Sequence, residues 1–200
     1  PLTYVAYLRG GIKFHDGHEL TARDVVYTFA SFLDEDFVSP RKGAFRQLAS
    51  VRALDDYRVE FKLKEPFSPF MSMFVVDNMP MVPRHIYEGT DFRANPANQT
   101  PIGTGPFKFK EWKKGSHIVL TRNPDYWKSG KPYLDDIVFH VIPDAASRAV
   151  AFEKGTVQVL RGGDVDNVDV KRIKALSNVE MTTQGWEMYA PLAFMVMSQR

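Results

Sequence analysis

The chain contains no cysteine, which excludes disulfides, thiolate nucleophiles and cysteine-based metal sites. The compartment stays open on this point, because exported bacterial proteins also often lack cysteine. An excess of one charge sign is missing too. The 26 Lys and Arg nearly balance the 24 Asp and Glu, leaving a net charge of +2, and the two signs are interleaved, so there is no electrostatic footprint for nucleic acid or an anionic membrane. The longest unbroken apolar run, residues 192–197, is far short of the roughly 20 residues that span a bilayer. No signal peptide is read in the sequence. The chain stops at Arg200 inside an apolar alternating run, and it is expected to be a fragment of a longer protein. Also missing are a Gly-x-Ser-x-Gly elbow, a P-loop lysine and a His-Glu-x-x-His pair. An enzymatic reading therefore has no residues to rest on.

What is present suits a packed core. Hydrophobic residues make up 44% and aromatics 13% of the chain, enough to argue against disorder. The organising stretch is 101–144. Phe107 and Phe109 alternate with Lys108 and Lys110, the period-two pattern of a half-buried strand. Lys114-Gly115-Ser116 supplies a turn, and Ile118 and Leu120 resume the alternation. Residues 137–142 are largely apolar on both faces, which predicts a strand inside a covered sheet.

Taken in order, residues 2–8 read as a strand, followed by the turn signal Asp16-Gly17. Thr21 is a good N-cap, with Asp24 placed as in a capping box. Val25, Val26, Phe29, Phe32 and Leu33 then form one helical stripe. Residues 51–54 and 58–64 read as a hairpin closed by Asp55-Asp56, with Val59, Phe61 and Leu63 facing inward. Short helices are expected over 70–76 and 83–88, the second opened by Pro83. The polar, proline-bearing segment 91–101 is the candidate linker. Further on, Asp144 caps a helix over 145–154 closed by Gly155, and Asp166 or Asn167 caps another bearing Val170, Ile173 and Leu176. Strands are expected over 157–160, 179–183 and 192–197. The class is mixed α and β, with a smaller module of about 95 residues before a larger one.

Three motifs invite chemistry and fall short of it. His15 and His18 flank Asp16-Gly17, but two histidines with no third ligand in range do not make a zinc site. Residues 164–169 resemble the start of a calcium loop, yet Val168, Asp169 and Ala175 stand where ligand, glycine and glutamate are needed. Gly103-Thr104-Gly105 lacks the third glycine of a dinucleotide fingerprint and enters a strand. Among the aromatics, Trp112 and Tyr126-Trp127 flank strands and are expected to pack into the core or its corners. Trp186, Met188 and Tyr189 sit in a glycine-containing connection, a better place for groups that face a ligand. Asn98-Gln99-Thr100 fits a glycosylation tripeptide, which is close to chance.

An ordered set of short motifs gives the chain a resemblance. It includes Phe14-His15-Asp16-Gly17, Leu20-Thr21-Ala22 with Asp24-Val25-Val26-Tyr27, Val82-Pro83-Arg84-His85-Ile86, Gly103-Thr104-Gly105-Pro106-Phe107 and Asn123-Pro124-Asp125-Tyr126-Trp127. With these the chain resembles the family 5 extracellular solute-binding proteins, the peptide- and nickel-binding components of bacterial ABC importers. The resemblance implies an α/β, type II periplasmic-binding-protein-like fold present in part, with residues 1–97 as the family's extra small subdomain and 98–200 as part of the first main lobe. A second lobe, carrying most peptide-terminus contacts in relatives, is absent, so this chain by itself is not expected to close on a ligand. Two departures stand out. Arg41 occupies a place where some relatives put an aromatic ligand contact, and Ser198 stands where the family often has Asn.

The resemblance implies a non-catalytic, monomeric protein that captures peptides outside the cytoplasm and delivers them to a membrane permease. The ligand-facing candidates are Arg41, Trp186, Met188 and Tyr189. No catalytic residue, metal ligand, cofactor or nucleic-acid partner is assigned. The rival readings keep the fold but bind nickel complexes, opines or oligosaccharides, or make the chain a ligand-sensing domain of a transcription regulator or a hydrolase fragment.

Overall fold

The computed structural model describes residues 1–34, 42–74 and 79–184. Arg41, Trp186, Met188, Tyr189, Ser198 and the strand expected over 192–197 lie outside them. Two compact units are formed, residues 1–139 and 140–200, and each is described by itself. Among the described residues no helix is long and apolar enough to cross a membrane.

The first unit opens with β1 (Thr3–Tyr7), α1 (Ala22–Leu33), β2 (Leu48–Asp55) and β3 (Arg58–Leu63). β3 lies between the other two strands, antiparallel to both, with Tyr4 and Val51 each opposite Phe61. The alternation of β3 sends Val59, Phe61 and Leu63 to one face, where all three are buried. Onto that face α1 lays Ala22, Val25 and Phe29, the i, i+3, i+7 stripe of an amphipathic helix. Phe29 stands edge-on to Phe61 and Phe45, with ring centroids 4.9 and 5.4 Å away. Phe70 and Phe74 extend the cluster from a 3-10 turn over Ser68–Met73. Edge-to-face pairs of this kind add about 0.5–1.5 kcal/mol each beyond the area they bury. Of the expected stripe, Leu33, the last residue of α1, is exposed.

After α2 (Arg84–Tyr87) comes the second sheet, ordered β4 (Phe107–Lys113), β5 (His117–Arg122) and β6 (Asp136–His140). The β4–β5 hairpin turns at Gly115, whose φ of 75° is a left-handed value that favours glycine. A bulge between Phe109 and Glu111 breaks the register. The clean Phe/Lys alternation therefore ends at Phe109, and Trp112 emerges 43% exposed beneath the Lys114 ammonium. Trp127 is also on the surface, with the Arg9 guanidinium 4.6 Å above its ring. Of the core or corner positions expected for them, neither tryptophan takes a core one, and a cation lies over the ring of each. The covered strand also needs correction, since Val138 and Phe139 of β6 remain about half exposed. Segment 91–101 is ordered. The Asn95 side chain, buried, donates to the Ile86 carbonyl and the Thr90 hydroxyl and accepts from the Ala97 N–H.

In the second unit, α3 (Ala145–Glu153) starts at Asp144, whose carboxylate accepts from the Ser147 N–H. α4 (Asn167–Lys174) buries Ile173. Arg148 ties the segment before α3 to the loop after it by donating to the carbonyls of Ile142, Pro143 and Asp164. The strands expected over 157–160 and 179–183 are absent. Short β-branched runs become strands only where another strand pairs with them, and neither finds one among the described residues.

Candidate functional site

The polar residues of the first unit converge around the turn that precedes α1. Thr21 and Asp24 close a capping box: the Thr21 N–H donates to Asp24 Oδ2 at 2.9 Å, and the Thr21 hydroxyl accepts from the Arg23 N–H. Asp24 is buried, and its second oxygen accepts the Arg84 N–H at 3.0 Å. One turn on, the buried Thr28 hydroxyl donates to the Asp24 carbonyl and accepts the Val82 N–H. Two polar side chains of α1 thus satisfy the backbone of the Val82-Pro83-Arg84 approach to α2. Buried N–H groups need such partners, and meeting that need fixes where α2 begins.

With α2 so placed, His85 reaches back over the turn at Asp16. Its Nε2 lies 2.6 Å from Asp16 Oδ2, a bond between residues 69 apart in sequence. His18 Nδ1 is 3.4 Å from the same oxygen, and the two imidazoles stack with centroids 3.9 Å apart. The other Asp16 oxygen accepts the His18 N–H. Burial pushes the Asp16 pKa up, but the His85 ring and the His18 N–H together outweigh it, so the carboxyl sits below its ordinary value. Phe14, buried, presents its edge to the His85 ring at 5.9 Å.

Beside the stacked rings lies a cavity of about 340 Å³ lined by His18, Glu19, Arg23, Asp56, Arg84 and His85, with Thr21 and Asp24 also on its wall. Arg84 faces Glu88 at 2.6 Å and Arg23 faces Asp56 at 3.9 Å. Glu19 accepts from the Tyr57 hydroxyl and the Gly11 N–H, which holds its pKa down. The cavity can hold a small polar or charged group. The Asp16–His85 pair has the form of an acid–base dyad, but its partners among the described residues are another imidazole and a backbone N–H.

His15, which the sequence pairs with His18, points the other way. Its Nδ1 accepts the Gly103 N–H at 3.2 Å, and its Nε2 donates to the Gly105 carbonyl at 3.1 Å. Each ring nitrogen has a role that only the neutral Nε2–H tautomer fills. Burial lowers its pKa below 6.5, against the raising effect of the Gly105 hydrogen bond, and Lys108 lowers it further. The Asn123 amide also donates to the Gly105 carbonyl, and Lys108 donates to the His15 carbonyl. The Gly103-Thr104-Gly105 backbone therefore binds the His15 ring through the Gly103 N–H and the Gly105 carbonyl. A Cβ would meet nothing within 4 Å at Gly105 and only the His15 ring, at 3.8 Å, at Gly103. The expected close backbone approach or positive φ is thus not what these glycines supply. What spacing along the chain misses is His85, because its partnership with Asp16 and His18 exists only in the folded molecule.

The model of the bacterial extracellular solute-binding proteins, family 5, matches residues 1–195. The oligopeptide-binding protein AppA of Bacillus subtilis is 38% identical over 186 residues, which cover 91% of this chain and 33% of that protein. Its structure in complex with a nonapeptide superposes with a TM-score of 0.73 at 41% identity, covering 78% of this chain and 31% of that one. NikZ from Campylobacter jejuni, solved in complex with Ni(L-His), gives a TM-score of 0.72 at 27% identity, with 78% and 31% covered. The chain spans about a third of the length of the curated relatives it matches. By a match that runs through nearly all its residues, the chain belongs to the bacterial extracellular solute-binding proteins, family 5.

Proposed function

We propose that the protein carrying this chain is the substrate-binding component of an ABC importer, that its cargo is peptide, and that it hands this cargo to a membrane permease without chemical change. The similarity to oligopeptide-binding AppA through nine-tenths of the chain carries this reading. In it, residues 1–97 are the small subdomain and 98–200 part of the first main lobe. Arg41, Trp186, Met188 and Tyr189 supply ligand contacts from this part, and the rest come from a second lobe. The protein acts as a monomer in the periplasm or outside the cell, held at the membrane through its transporter. Capture follows hinge closure, in which the ligand stabilises the closed state by its differential affinity for it.

A second cargo has a specific observation in its favour, the likeness to NikZ in complex with Ni(L-His). Calorimetric titration of the full-length protein separates the two. A mixed peptide pool is expected to bind stoichiometrically and a nickel–histidine complex to give no heat. Heat from the nickel complex alone would overturn the peptide reading.

A further inference from the structure

We propose that Asp16, His18 and His85 form a binding site for one divalent transition-metal cation with a preference for imidazole, represented by Zn²⁺. Its assignment does not rest on peptide capture. The sequence offers only His15 and His18, too few ligands and, as folded, pointing apart. The structure removes His15 and supplies His85 from α2. Two imidazoles and a carboxylate are the donor set that zinc takes, with water in the fourth position of an exposed site.

The distances support the assignment. One ligand atom from each residue lies within 4.8 Å of the others. In a tetrahedral site with bonds of about 2.1 Å, donor atoms stand about 3.4 Å apart. His18 Nδ1 is 3.4 Å from Asp16 Oδ2 already, and His85 Nε2 is closer, at 2.6 Å. His85 Nε2 therefore has to draw back from Asp16 Oδ2 by about 0.8 Å to reach the spacing that zinc requires, and the two ring nitrogens lie within 4.8 Å of each other. The stacked rings bring both nitrogens to the same carboxylate oxygen, and turning their lone pairs inward falls to His18, whose side chain is 63% exposed. The other two donors are held. Asp16 keeps Oδ2 forward because Oδ1 accepts the His18 N–H, and the edge of Phe14 backs His85. Such outer support orients ligands in metal sites generally. Local charge does not oppose a cation, since Arg23 and Arg84 in the adjoining cavity each face a carboxylate of their own, Asp56 and Glu88.

The test is calorimetric titration of the EDTA-stripped, full-length protein with zinc chloride alone, followed by Co²⁺ substitution read as visible absorption. One equivalent is expected to bind. His18→Ala and His85→Gln should each weaken binding about tenfold or more, since loss even of an outer-shell partner costs that much. His85→Gln could disturb the docking of α2, so the decisive variant is His18→Ala, whose exposed ring leaves the metal-free melting midpoint unmoved. His117→Ala and His140→Ala should bind as the parent does. Absence of zinc uptake, or uptake and a cobalt spectrum unchanged by His18→Ala, would overturn the site. Because metal binding is read directly, a protein that fails to capture peptides still decides the question.

Discussion

His15 shows how one side chain can tie distant segments together through its protonation state. Its ring accepts from Gly103 and donates to Gly105, and burial lowers its pKa below 6.5. The folded state thus binds the proton less readily than the unfolded state. Stability from this group is complete above the unfolded pKa and is lost as pH falls from 6.5 through the lowered folded value. Urea midpoints measured from about pH 8 to about pH 5, the range in which histidine titrates, should fall for the parent and fall less steeply for His15→Gln. Equal slopes would show that the clamp does not depend on a neutral ring. Much of this neighbourhood is legible locally. The Thr21–Asp24 box is a spacing of three, and Asp16-Gly17 announces its own turn. The Asp16–His85 bond and the three carbonyls gathered by Arg148 are set by tertiary folding and leave no periodic or local trace in the sequence.

At the scale of elements, patterning reads well where one element buries one face. α1 and β3 lie where their periods place them, and their stripes meet in the cluster around Phe29 and Phe61. Phe29→Ala removes a fully buried ring that contacts three others and should cost about 3–5 kcal/mol, measured by chemical denaturation. A loss below about 1 kcal/mol, the scale of an ordinary surface-to-moderate change, would mean that the cluster does not hold the first sheet and helix together. Patterning reads poorly where burial depends on what else is present. The bulge after Phe109 rotates Trp112 outward, and a bulge has no reliable sequence signature here. The apolar β6 leaves Val138 and Phe139 half exposed, so its composition reports the environment the strand can tolerate, not the one it has. Segments 157–160 and 179–183 have the composition of strands but no pairing partner among the described residues.

For the molecule as a whole, the fold class and the family were legible because many weak motifs occur in order, each recording a structural tie. Phe14-His15-Asp16-Gly17 docks the glycine loop, Thr21 to Asp24 starts α1 and receives Arg84, and Asn123 holds the Gly105 carbonyl. The ligand contacts were less legible. Arg41 rests on a position matched to relatives and the Trp186, Met188 and Tyr189 group on its place in a loop, and the chain spans only about a third of its curated relatives. Capture of peptide without turnover can be checked in one experiment. The full-length protein is purified under native conditions and incubated with a defined peptide, and the bound material is released by denaturation for mass spectrometry. One peptide per protein is expected, recovered at its original mass however long the incubation. Cleaved peptide accumulating with time, or no peptide retained at all, would contradict capture without turnover.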